Sequence, residues 1–109
     1  MKTKEVILTG ESRRELITEL RYSTATARVD GTDVVIFLIK KEENDKKTDR
    51  RVSSANRILT ELKREGLISF FVSPRAFEIN STEAQFFRNK YEYLINDSDE
   101  EYVRIYMNP

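Results

Sequence analysis

Four carboxylates, Glu42, Glu43, Asp45 and Asp49, crowd the residues that follow an unbroken apolar run over positions 34–39. Acidic oxygens at the mouth of a buried strand are what a hard divalent cation accepts. Mg²⁺ takes several oxygen ligands and activates water for phosphodiester cleavage. The same stretch carries Lys40, Lys41, Lys46, Lys47, Arg50 and Arg51. The plainer reading is therefore a solvated loop whose acids are balanced locally, and it is preferred. The remaining choices are narrow, because the chain has neither His nor Cys. That excludes imidazole acid–base catalysis, a Ser-His-Asp triad, thiolate chemistry, disulfides and thiolate or imidazole zinc sites. No catalytic residue and no cofactor is assigned. Mg²⁺ enters only if the chain is a nuclease.

The basic residues suit a different chemistry. Lys40, Lys41, Lys46, Lys47, Arg50, Arg51 and Arg57, with Arg75 beside a proline, are candidates for phosphate contacts, each of which adds salt-dependent affinity. Arg13, Arg14 and Arg21 form a second candidate patch, or else pair along their own helix with Glu11, Glu15 and Glu19. Nineteen Lys and Arg are matched by nineteen Asp and Glu. Any attraction for a polyanion must then come from local segregation of charge, not from a global field.

The elements that position these groups follow from periodicity. At 109 residues the chain is one domain. Residues 4–9 are a short apolar run, either a strand or a lead-in. "GESRRELITELRY" reads as a helix, with Ser12 and Glu15 spaced as a capping box and Leu16, Ile17 and Leu20 as its stripe. Residues 24–29 are β-branched at alternate positions and are followed by Asp30-Gly31, a turn signal that predicts a hairpin into residues 34–39. That second arm lacks polar alternation, so it should be covered on both faces. A polar loop over 41–50 leads to a helix carrying Ala55, Ile58, Leu59 and Leu62, capped by Ser53 or Ser54 and closed by Gly66. Residues 67–72 and 75–79 read as strands, and residues 81–95 as a helix. The chain ends in a strand that alternates Val103, Ile105 and Met107 against Tyr102, Arg104 and Tyr106.

From residue 33 onward the order is β-α-β-β-α-β, so the expected class is α+β, ferredoxin-like, with residues 33–109 as the core. Residues 1–32 are then an extension made of a helix and an extra hairpin arm. Phe86 and Tyr93 lie off the third helix's stripe and are interface candidates, with Tyr102, Arg104 and Tyr106. The last strand would extend the sheet edge of a neighbouring protein. No apolar run reaches membrane-spanning length, and no signal peptide is evident, so the expected location is the cytoplasm.

Several short motifs carry a resemblance. Phe77-Glu78, Thr82-Glu83-Ala84-Gln85, the acidic turn over 97–101, and Val103-Arg104-Ile105-Tyr106 resemble the second half of the small core subunit of the CRISPR spacer-acquisition complex. "ILTGESRREL" and "VDGTDVVIFLI" resemble the lead-in of the related C-terminal domain of phenylacetate-type repressors, with Val29 in place of a tryptophan. The resemblance implies a ferredoxin-like homodimer. It also implies an Asp at the end of the first core strand as metal ligand, but the matching pair here is Phe37-Leu38. The function expected is a non-catalytic nucleic-acid-binding or assembly scaffold. A rival reading takes residues 52–79 as the recognition helix and wing of a winged-helix regulator, with Ser53, Ser54, Asn56 and Arg57 facing DNA. A metal-dependent nuclease is the third.

Overall fold

The structure is a computed structural model that describes residues 2–73 and 101–109, together with Gln85 and Asn89. Its elements run β1 (Thr3–Ile7), α1 (Arg13–Asp30), β2 (Val34–Lys40), α2 (Asp45–Arg64), β3 (Phe70–Val72) and β4 (Tyr102–Asn108). They form a four-stranded mixed sheet in the order β1-β2-β4-β3. β1 is parallel to β2, and β4 runs antiparallel to both β2 and β3. The α+β class is as expected. The first 32 residues, however, supply a strand and a helix to the same sheet and core. β2 has β1 and β4 as its neighbours. The strand expected over 75–79 and the helix over 81–95 lie outside the described residues, apart from Gln85 and Asn89, which are helical.

The expected hairpin is replaced by a longer helix. α1 starts where the capping box predicts: the Ser12 side chain accepts from the Glu15 N–H at 3.1 Å. It then continues through "TATARVD". Two hydroxyls that suggested a strand bond backwards to the preceding turn. Thr24 donates to the Leu20 carbonyl at 2.7 Å, and Thr26 donates to the Tyr22 carbonyl. The residues turned to the core at this end, Ser23, Thr24 and Ala27, are small. Helix–sheet contact thus overrides the weak strand preference of β-branched residues. Gly31 does take the positive φ that Asp-Gly signals, at 71°. It does so as the left-handed cap of α1, with the Thr32 N–H reaching the Ala27 carbonyl at 2.8 Å.

The loop over 41–50 is likewise mostly helix. Asn44, not Ser53 or Ser54, caps α2, accepting from the Lys46 N–H at 3.0 Å. In the sequence the apolar stripe starts only at Val52, because the preceding inward positions are Thr48 and Arg51, polar yet buried. Gly66 follows the helix at φ 76°, as its position predicted.

The sheet separates two apolar layers. On one face, Val35, Phe37 and Ile39 of β2 and Val103, Ile105 and Met107 of β4 meet Leu16 and Leu20 of α1 and Ile58, Leu59 and Leu62 of α2. On the other face Val34, Ile36, Leu38, Val72 and Tyr106 pack together, with Phe70 and Tyr102 against them. All six residues of β2 from Val34 to Ile39 are buried, as a strand without alternation requires. The alternation read in β4 is also observed. No helix among the described residues is long and apolar enough to cross a membrane.

Candidate nucleic-acid interface

The cations expected at phosphates fall into three groups. Lys40 ends β2 and is exposed, and the Lys41 N–H is held by the Glu101 carbonyl at 2.8 Å. Lys46, Lys47 and Arg50 lie exposed in the first turns of α2, and Arg57 lies exposed at its middle. Lys47 stands 4.0 Å from both Glu11 and Glu42, so two carboxylates share its charge. Arg75 lies outside the described residues.

Arg51 is the correction. It is only 8% exposed and faces the interior. Its Nη2 donates to the Leu8 carbonyl at 2.9 Å and the Gly10 carbonyl at 3.1 Å. From α1, Glu19 accepts the N–H groups of Thr9, at 2.9 Å, and Gly10. The segment leaving β1 is thus clamped by opposite charges, its donors on Glu19 and its acceptors on Arg51. Gly10 is required there, since a Cβ would sit 2.5 Å from Glu19 Oε1 and 2.9 Å from Glu15 Cβ. Arg51 is a structural latch, which takes it out of reach of phosphates.

The acids at the C-terminal end of α2 are turned toward α1. Glu61 pairs with Arg13 at 2.8 Å, and Glu65, the C-terminal cap, pairs with Arg21 at 3.0 Å. The sequence offers the α1 arginines either as a second patch or as pairs along their own helix; two of them pair across to the C-terminal end of α2 instead. What this leaves on the outer side of α2 is a line of one sign. At about 100° per residue, Lys46, Arg50, Ser53, Arg57 and Arg64 fall within a sector of about 60°, and they run for about 27 Å along the axis. All five are exposed. The four cations make no ion pair among the described residues. Arg64 was not singled out in the sequence, though its seven-residue spacing from Arg57 was the available signal. Asp49 flanks the line.

The other expected sites do not assemble. Glu42, Glu43, Asp45 and Asp49 form no cluster of three acidic groups that could hold a metal, and neither do any other described residues. Leu38 sits in the second apolar layer against its neighbours on the sheet. Of the interface candidates, Tyr106 is 2% exposed and packed in that layer, Tyr102 and Arg104 are half-buried, and Phe86 and Tyr93 lie outside the described residues. β4 is not an edge: it lies between β2 and β3, and Tyr106 and Met107 are paired on both sides. It cannot extend a neighbour's sheet along its length.

No family model matches the chain, and neither a curated protein nor a solved structure matches it.

Proposed function

We propose that the protein is a non-catalytic scaffold that binds nucleic acid through its phosphate backbone, using the outer ridge of α2. The observation that carries this is the segregation of charge on a chain whose net charge is zero. The acids at the C-terminal end of α2 are consumed by Arg13 and Arg21, while Lys46, Arg50, Arg57 and Arg64 stay in solvent. Successive cations stand about 6, 10.5 and 10.5 Å apart along the axis, a spacing that lets one backbone be followed by several side chains. Phosphate contacts position a protein without reading sequence, so the expected binding is sequence-tolerant. A sequence-specific regulator fits less well, because Asn56 is half-buried, off the ridge, and β2 leads directly into α2. The resemblance to the CRISPR acquisition subunit enters this reading as a scaffold role, with Leu38 where a nuclease would hold its metal.

The test is titration of a labelled duplex, a single strand and an RNA by fluorescence anisotropy over a range of salt. Four phosphates neutralised on a duplex give a slope of log K against log salt of about −3 to −4. Replacing Lys46, Arg50, Arg57 and Arg64 together by Gln removes most of that slope. Absence of binding to all three probes at about 50 mM salt, or an unchanged slope in the variant, overturns the reading.

A further inference from the structure

Between the C-terminal halves of α1 and α2 lies a groove of about 430 Å³, lined by Arg21, Thr24, Ala25, Arg28, Leu62 and Leu67. Its origin is local. α1 supplies two small residues, Thr24 and Ala25, and α2 stops at Arg64. Gly66 then takes a φ of 76°, and the Leu67 N–H returns to the Leu62 carbonyl at 3.0 Å. Two leucines thus share the lining with two small side chains, which leaves space between the helices. The volume falls within the range of about 300–1,000 Å³ typical of small-molecule sites.

The lining dictates what fills it. Its charged groups are Arg21 and Arg28, seven residues and about 10.5 Å apart along α1. Arg21 is held by Glu65 at 3.0 Å. Arg28 is exposed and makes no ion pair among the described residues. The Thr24 hydroxyl donates to the Leu20 carbonyl at 2.7 Å, so it offers a ligand no proton. Among the described residues no lining side chain is aromatic or acidic. A ligand with hydroxyls or amides along its body would leave water and gain few partners. A ring would find no ring to pack on, and a cation would meet two guanidinium groups. An apolar chain with one anionic end meets each condition. A cation in the last turn of a helix also complements the dipole, but that role needs no apolar floor beside it.

We propose that this groove binds a straight-chain aliphatic carboxylate, with its acyl chain on Ala25, Leu62 and Leu67 and its carboxylate on Arg28. A guanidinium fork matches a carboxylate through two parallel N–H···O bonds. None of the six lining residues belongs to the α2 ridge, so the site stands or falls independently of nucleic-acid binding.

The test is titration of the ¹⁵N-labelled full chain with decanoate, kept below its micelle concentration and followed by amide chemical shifts. Saturable shifts are expected at Ala25, Arg28 and Leu67, with a Kd below about 1 mM. Octanoate, two methylenes shorter, binds about tenfold more weakly. Decyltrimethylammonium, with the same chain and the opposite charge, does not bind. Arg28 and Ala25 are both exposed, so their variants keep the fold, which an unchanged urea midpoint verifies. Arg28→Gln weakens decanoate about tenfold or more, and Ala25→Phe, which fills the groove, abolishes saturable binding. Shifts that do not saturate, or an ammonium that binds as tightly as the carboxylate, overturn the proposal. So does decanoate binding that Arg28→Gln and Ala25→Phe both leave unchanged.

Discussion

Arg51→Met separates the latch from a phosphate contact more sharply than any other single change. Methionine keeps the unbranched stem that fills the space beneath the helix and deletes the guanidinium. Two hydrogen bonds from a charged donor are lost, to the Leu8 and Gly10 carbonyls. At about 1.5–3 kcal/mol each, they contribute about 3–6 kcal/mol. Against that, Arg51 Nε is buried without a partner among the described residues, and its release from the interior returns about 1–3 kcal/mol. The expected net loss is about 2–3 kcal/mol, a large fraction of the 5–15 kcal/mol or so typical of a folded domain. Urea unfolding followed by circular dichroism reads it as a lower midpoint with an unchanged slope. Nucleic-acid affinity, measured well below the unfolding midpoint, should equal that of the parent. Stability within about 0.5 kcal/mol of the parent, together with weaker nucleic-acid binding, would refute the latch and return Arg51 to the phosphate set.

Four further outcomes test the same framework. Gly10→Ala forces its Cβ against Glu19 and Glu15 and is expected to cost about 1–3 kcal/mol in the same urea titration. Gly31→Ala meets nothing within 4 Å and loses only the ease of a positive φ, about 1 kcal/mol. Ser12→Ala removes the cap of α1 and should lower stability by about 1 kcal/mol, with a matching loss of protection in hydrogen exchange at the Glu15 amide. Leu38→Asp, which places an acid where the resembled nucleases hold one, buries a carboxylate among Val34, Ile36, Val72 and Tyr106. It is expected to destabilise by more than about 3 kcal/mol and to yield no cleavage of DNA or RNA with Mg²⁺ or Mn²⁺, as judged on gels.

Local rules read the ends of elements well and their extents poorly. Ser12 with Glu15, and Gly66, marked a helix start and a helix end correctly, because caps depend on groups within one turn. The unalternating run of β2 and the alternating β4 showed which faces would be covered, because side chains in a strand reverse at each residue. Asp30-Gly31 announced a positive φ but not its use. The same left-handed glycine closes a hairpin or a helix, and the packing of Ala27 and Thr24 on the sheet chose the helix. Thr48 and Arg51 broke the apolar pattern of α2 because their side chains bond to backbone, Thr48 to a residue 6 positions back and Arg51 to residues more than 40 positions away, the latter partners that no local window of sequence contains. The candidate site divides in the same way. Composition alone excluded thiol and imidazole chemistry and supplied the cations. Which of them face solvent as one line was decided by the contact of α1 with α2, where Arg13 and Arg21 take up Glu61 and Glu65 across a separation of more than 40 residues. Charges that cancel in the sequence are sorted to different faces only when two helices meet.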